Sequence, residues 1–221
     1  MTNVIILCGG EGTRVKHILK DTPKALVEVA GRPHLQNLLT DLRRNICKPK
    51  IILATGVGHD RIQATVEDLK LNVLLSRETV PLGTGGAVKK CLDEYDLPWA
   101  WVINGDTIYE GDLQPIFALN PTTSTIVLSW KGSADRYGLV TELPDGRVNF
   151  SEKSGGKQAG WVNCGIAFVQ ASQLSEKIHT DKFSLETDFF SKFDDLDVFR
   201  SDIHFSDFGV VSDLYEFTDT K

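Results

Sequence analysis

The sequence has no apolar run long enough to cross a bilayer, which takes roughly 20 consecutive apolar residues. It also has no excess of basic charge: 24 Lys and Arg stand against 30 Asp and Glu, for a net charge of −6. Nonspecific nucleic-acid binding needs a basic field, so the expectation is neither a nucleic-acid nor a membrane partner. A local basic pocket for a small anion remains compatible with that balance. Cysteine is sparse: Cys8, Cys47, Cys91 and Cys164 lie far apart, each read as sitting in an apolar setting. Disulfide frameworks and zinc sites show closer spacing, so the four read as reduced, buried thiols of a cytoplasmic protein. The N-terminus carries no positive region and runs straight into Gly9 and Gly10, so it reads as a first strand and not as a leader. Repeats, low-complexity tracts and linkers are absent too.

What is present suits a globular domain. The chain has 221 residues, 41% hydrophobic and 24% charged, enough for a sizeable core. Val4 to Leu7 is a short, uniformly apolar run that ends in Cys8-Gly9-Gly10-Glu11-Gly12. Such a run predicts a strand buried on both faces, as in a parallel sheet. Helical spacing follows over Pro33 to Arg44, then a strand over Lys50 to Thr55, a helix over His59 to Leu69, and a strand over Asn72 to Ser76. A helix from Gly83 to Leu92 precedes a strand from Ala100 to Ile103. Alternation of this kind argues for a doubly wound α/β sheet. Beyond it the pattern loosens, with strands expected over Thr125 to Trp130, Gly138 to Glu142, Val148 to Ser151 and Val162 to Val169, and helical stretches over Leu174 to Ile178 and Leu185 to Phe193. Asp145-Gly146 signals a hairpin.

Five motifs carry chemistry. In the first, Leu7-Cys8-Gly9-Gly10-Glu11-Gly12-Thr13-Arg14, glycines let backbone N–H groups approach a phosphate. A helix terminus adds only ~0.3–1 kcal/mol when exposed, so the cations Arg14 and Lys24 must supply the rest. The loop lacks the Gly-Lys-Ser/Thr of a Walker sequence, and it misses the third glycine of the dinucleotide fingerprint because Val15 stands there. The second motif, Asn104-Gly105-Asp106-Thr107, puts a carboxylate just past a buried strand, where open α/β sheets bind ligands. Asp106 has no basic neighbour in sequence and reads either as a turn residue or as a hard oxygen ligand for Mg²⁺. In the third, Phe205-Ser206-Asp207-Phe208-Gly209, Asp207 reads as a cap residue or as a second carboxylate for the same ion. The fourth joins Glu152 and Lys153 with Asn163 on the next strand, which fits either a hydroxylated monophosphate or an exposed ion pair. The fifth, Glu78 to Gly86, offers glycine turns beside a helix start to a base, ribose or phosphate.

Taken in order, LCGGEGTR (7–14), DTPKALVEVAGRP (21–33), ETVPLGTGGAV (78–88), NGDT (104–107), DRYGLV (135–140), SEK (151–153), NCGIAF (163–168) and DFGVVSDLYEF (207–217) resemble the sugar-phosphate nucleotidylyltransferases. The likeness is strongest to the D-glycero-D-manno-heptose 1-phosphate guanylyltransferase branch. It implies a Rossmann-like α/β fold with a doubly wound mixed sheet in three αβα layers. It also implies a single nucleotidyltransferase domain over 1–221, with a nucleotide-binding half at 1–115 and an acceptor-binding half at 116–221. By that likeness Arg14, Lys24 and Asp106 are catalytic, and Asp106 and Asp207 hold Mg²⁺, for which Mn²⁺ can substitute. Leu7, Cys8, Gly9, Gly10, Glu11, Gly12, Thr13, Glu78, Gly83 and Thr84 face the nucleotide, and Gly138, Glu152, Lys153 and Asn163 face the phosphorylated sugar. Two departures stand out: Ala25 follows Lys24 where the family has a second proline, and Val210-Val211 follow Gly209 where it has Thr-Pro.

The implied reaction joins a nucleoside triphosphate, with GTP favoured, to a sugar 1-phosphate, releasing pyrophosphate and giving an activated sugar for surface polysaccharide synthesis. The alternatives are a uridylyl- or cytidylyltransferase acting on MurNAc 1-phosphate or phosphoglutamine, a dinucleotide-dependent oxidoreductase, and a silent nucleotide-binding regulator. The sequence leaves homo-oligomerisation open.

Overall fold

Strand β1 (Asn3–Leu7) is followed by the one-turn helix α1 (Lys16–Leu19), the short strands β2 (Glu28–Val29) and β3 (Arg32–Pro33), and helix α2 (His34–Asn45). Next come β4 (Lys50–Thr55), α3 (His59–Asp68), β5 (Leu74–Arg77), α4 (Gly83–Glu94), β6 (Trp99–Asn104) and β7 (Thr107–Glu110). The second half adds α5 (Gln114–Phe117), β8 (Thr125–Lys131), β9 (Val140–Glu142), β10 (Val148–Phe150), β11 (Gly160–Gln170), α6 (Ala171–Lys177), β12 (Asp197–Ser201) and β13 (His204–Asp207). The computed structural model describes residues 1–10, 15–20, 22–134, 137–144, 147–151, 158–192 and 195–208.

Seven strands form one mixed sheet in the order β12-β8-β11-β6-β1-β4-β5. Strands β6, β1, β4 and β5 run parallel, β8 and β12 run parallel to each other, and β11 is antiparallel to both β6 and β8. The sheet therefore takes strands from both halves of the chain. Its uniformly apolar strands are buried on both faces, and alternation sends their side chains to opposite sides. Val4, Ile6, Ile51, Leu53, Trp101 and Ile103 join a core with Leu35, Leu39 and Leu42 of α2 and Ile62 of α3. Ile5, Ile52, Ala54, Ala100 and Val102 join a second core with Val88, Cys91 and Leu92 of α4 and Leu174 of α6. Two cores on either side of one sheet give the expected three-layer αβα arrangement. Among the described residues, no helix is long and apolar enough to cross a membrane.

Several boundaries differ from the sequence reading. β5 begins at Leu74 and runs to Arg77, because its pairing with β4 starts at Leu74 opposite Ile52. The stretch expected to be one helix from Leu185 is a π-helical turn, Leu185–Phe189, followed by a 3₁₀ turn, Phe190–Lys192. Ser184 caps it by accepting from the Thr187 N–H, and the tight winding buries both Phe189 and Phe190. β9 and β10 pair as a hairpin, but its turn, 145–146, lies outside the described residues. Cys47 is exposed, contrary to the reading of four apolar settings; it lies beyond α2, whose buried face ends at Ile46. All four cysteines are unpaired.

Candidate active site

Doubly wound sheets bind ligands where the strand order reverses, outside the carboxyl ends of the strands. Here the chain leaves β1 toward β4 on one side and later returns to β6 on the other, so the ends of β1 and β6 flank that point. Their register brings Leu7 level with Asn104, and the Gly105 N–H donates to the Leu7 carbonyl at 3.0 Å. A cavity of about 200 Å³ opens there, lined by Leu7, Cys8, Gly10, Lys24, Ala25, Thr84, Asn104, Gly105 and Asp106. Residues from four separate stretches of sequence thus share one wall.

Lys24 begins a 3₁₀ turn, Lys24–Leu26, directly after Pro23. Its Nζ lies 2.8 Å from Asp106 Oδ2, with the two side chains 22% and 29% exposed. A cation and a carboxylate chosen from segments 82 residues apart therefore meet at the cavity wall. Burial holds the Cys8 thiol above its ordinary value, and nearby Asp106 adds to the effect; the sulfur stays neutral and lines the cavity without acting as a nucleophile.

A second cavity of about 430 Å³ adjoins the first, since Gly9 lines one and Gly10 the other. It is bounded by Gly56, Val57, Arg77, Glu78, Thr79, Val80 and Pro81. Glu78 is fixed at both ends: its N–H donates to the Thr55 carbonyl at 2.7 Å, and its Oε2 accepts from the Leu82 N–H at 2.9 Å. Burial raises its carboxyl above the ordinary value. Gly56, Val57 and Arg77 were not singled out from sequence; Gly56 and Val57 follow a buried strand, a position that pointed to Asp106 as well.

The glycine run after Glu78 is placed differently from the expectation of a bare surface for ligand. Gly83 has φ +75°, and a Cβ on it would lie 2.5 Å from the Phe183 carbonyl; Gly85 and Gly86 pack against Phe183 and Asp181 as closely. The glycines let α4 press onto the 181–183 segment. Thr84 does line the cavity, but its Oγ1 is also engaged, donating to Glu186 Oε2 at 3.2 Å and accepting from the Leu185 N–H at 2.9 Å.

Asp207 closes β13, which pairs with β7 so that Asp207 stands opposite Thr107. The Phe208 N–H donates to the Asp106 carbonyl at 3.0 Å. The two carboxylate positions are therefore tied together through backbone. Among the described residues no group of three or more His, Cys, Asp or Glu gathers to hold a metal. Two hard carboxylates suit Mg²⁺, which keeps several waters and takes further oxygens from substrate phosphates.

Of the residues expected to face the sugar phosphate, Asn163 accepts at Oδ1 from the Gly165 N–H at 2.9 Å. Gly165, at φ +79°, leaves room for the Asn104 side chain, whose Nδ2 would lie 2.6 Å from any Cβ there. Gly138 packs against the Ser151 carbonyl. Glu11, Gly12, Thr13, Arg14, Glu152 and Lys153 lie outside the described residues.

Comparison with known proteins points the same way. The family model for Nucleotidyl transferase matches residues 3–220. The chain is 34% identical to D-glycero-alpha-D-manno-heptose 1-phosphate guanylyltransferase of Campylobacter jejuni subsp. jejuni serotype O:2, over 96% of this chain and 97% of that one. It is 30% identical to the enzyme of the same name from Aneurinibacillus thermoaerophilus, over 95% and 94% of the two chains. The crystal structure of HddC from Yersinia pseudotuberculosis complexed with GMP-PN superposes with a TM-score of 0.83 at 33% identity, covering 98% of each chain.

Proposed function

The chain belongs to the nucleotidyl transferase family, and from that premise we propose that it transfers a guanylyl group from GTP to D-glycero-D-manno-heptose 1-phosphate. The observation that carries the reading is the cavity at the β1–β6 switch point, where Lys24 and Asp106 face each other beside the glycines that end β1. The near full-length likeness to two heptose 1-phosphate guanylyltransferases supports the choice of base and sugar. The product is a nucleotide-activated sugar of the kind consumed in surface polysaccharide synthesis, and a GTP donor accords with a cytoplasmic location.

The reaction is an in-line displacement. A phosphate oxygen of the sugar 1-phosphate bonds to the α-phosphorus, the α–β bridging P–O bond breaks, and pyrophosphate leaves with the electron pair. The attacking oxygen is already anionic, because a phosphate monoester loses its second proton near pH ~6. No general base is required. The obstacle is mutual repulsion of two polyanions, so positioning and charge stabilisation supply most of the rate. Family members use a divalent metal ion; Asp106 and Asp207 would hold Mg²⁺, which neutralises phosphate charge when bound. Lys24 swings from Asp106 to the α-phosphoryl oxygens, and Arg14 spans two phosphate oxygens of the triphosphate. The glycine backbone at 9–10 and Thr84 line the phosphate path. The Glu78 cavity receives the base, whose N1–H and N2–H₂ donors match a carboxylate acceptor. Gly138, Glu152, Lys153 and Asn163 receive the sugar phosphate.

The test is a matrix of four nucleoside triphosphates against a set of sugar 1-phosphates, scored for pyrophosphate release. Highest turnover with GTP and the heptose 1-phosphate is expected. Turnover confined to UTP or CTP with another phosphorylated acceptor would replace this reading with the corresponding uridylyl or cytidylyl transfer.

A further inference from the structure

β13 stands outside the seven-stranded sheet and pairs only with β7 in the described sheets. Yet it has to cross from the end of β12 at one sheet edge to β7, entering opposite Glu110 at the carboxyl end of β7 and bringing Asp207 opposite Thr107 at its amino end. Two side chains of β8 guide it. Ser129 Oγ, fully buried, donates to the Ile203 carbonyl at 2.6 Å, and Lys131 Nζ donates to the Phe205 carbonyl. Donors two residues apart on β8 thus meet the carbonyls of Ile203, just before β13, and of Phe205 within it, and Asp207 is the next residue in that alternating series. The Lys131 ammonium also sits over the Phe205 ring at 4.1 Å and over the Tyr137 ring at 5.4 Å. Those two rings pack edge-on at 5.1 Å. Tyr137 immediately precedes Gly138, and the next residue, Leu139, bridges to Val162 on β11 beside Asn163.

We infer that Lys131 is a positioning residue that locks the strand ending in Asp207 to the acceptor-facing segment at Tyr137–Leu139, so that metal carboxylate and sugar phosphate are set by one side chain. The inference rests on the proposed roles of Asp207 and Gly138. A cation held between two aromatic faces and a carbonyl has few alternative positions. Both segments it touches lack a continuous backbone ladder to β8, so the lysine and Ser129 supply the register that backbone pairing supplies elsewhere.

Lys131→Met keeps the length and apolar stem and removes the donor and charge. Loss of such a supporting group typically weakens a site about tenfold. The expected outcome is a ~tenfold weaker Mn²⁺ affinity, read by electron paramagnetic resonance with the unreactive α,β-methylene analogue of GTP bound, and a ~tenfold higher KM for the sugar phosphate, with KM for GTP changed less than about twofold. Lys131→Arg, which keeps a charged donor, restores most of both constants. Ser129→Ala cuts the other rung, weakening Mn²⁺ binding while leaving the acceptor KM unchanged. Asp207→Asn, measured alongside, tests the metal assignment separately. If Asp207→Asn weakens Mn²⁺ binding while Lys131→Met and Ser129→Ala do not, the inference is overturned and the assignment stands. If Asp207→Asn leaves Mn²⁺ binding intact, both fall. Uniform worsening of all three constants with a lowered melting temperature in Lys131→Met and Ser129→Ala reduces the lysine to a structural role and also overturns the inference.

Discussion

Lys24 Nζ and Asp106 Oδ2 stand 2.8 Å apart at the mouth of the sheet, each side chain still partly exposed. Exposed pairs of this kind contribute little to stability, about 0–1 kcal/mol, so in the proposed reaction the pairing serves placement: it keeps the lysine beside Asp106, within a swing of the arriving phosphoryl group. Lys24→Met should therefore lower kcat by about 10²–10³, the scale for removing one electrostatic donor. The KM for the sugar phosphate should hardly move, and the melting temperature should stay close to that of the wild type. Steady-state pyrophosphate release and thermal denaturation on the same preparation check both halves; normal turnover with weakened acceptor binding would contradict the role.

The metal assignment makes its own demand. Chelation with EDTA should abolish turnover, and Mg²⁺ or Mn²⁺ should restore it. Asp106→Asn should raise the half-saturating Mg²⁺ concentration by at least about tenfold, because among the described residues no group of three or more His, Cys, Asp or Glu gathers to compensate for a lost carboxylate. Full activity in EDTA, or an unshifted Mg²⁺ titration in Asp106→Asn, would remove the metal from this account.

Much of this site was legible in the sequence, because the residues that make it end strands. Leu7 ends one uniformly apolar run and the glycines after it marked a phosphate-binding turn, while Asp106 lies just past another such run, where the rule that ligands bind beyond strand ends placed it. What composition could not reveal was pairing. Lys24 and Asp106 meet across 82 residues of sequence, a long-range relation that no local spacing encodes. Thr84 was picked for its glycine setting, but its partner Glu186 lies on a π-helical turn, and a winding of that kind has no periodicity to detect. β7 was missed, and β13 was read only as a strand leading up to Asp207, for a related reason: each is four residues long with mixed polarity, and each is defined by the other. The αβα layering was readable because alternating residues in β1, β4 and β6 are apolar on both faces.

In the proposed reaction Glu78 bears on which base is chosen. Its backbone N–H and one carboxylate oxygen are tied to Thr55 and Leu82, so the side chain presents a fixed acceptor to the adjoining cavity. A well-placed pair of hydrogen bonds to a base edge discriminates by about 1–3 kcal/mol. Glu78→Gln, which turns one acceptor into a donor of the same shape, should lower kcat/KM for GTP by about tenfold and leave that for UTP nearly unchanged. Parallel losses with both nucleotides would show that Glu78 serves the loop and not the base.

His34 should make the protein acid-sensitive. It is 3% exposed at the start of α2, its Nε2 donates to the Thr107 carbonyl at 3.0 Å, and its ring packs edge-on against Phe208 at 5.0 Å. A carbonyl only accepts, so Nε2 carries the proton and Nδ1 is a lone pair, buried with no hydrogen-bond partner among the described residues. Protonating Nδ1 would bury a charge, and that burial, against smaller opposing effects of Thr107 and Asp106, lowers the imidazole from 6.5 to about 4. Between those values the unfolded chain binds the extra proton and the native protein does not. The stabilisation is thus complete above pH 6.5 and is lost as pH falls toward about 4, a difference on the order of 3 kcal/mol. His34→Gln retains a donor for Thr107 and has no charge to gain. It should be somewhat less stable at neutral pH for want of the ring, yet lose less on acidification. Urea midpoints across that range decide the matter: curves for wild type and variant that fall in parallel would mean other groups govern the acid response.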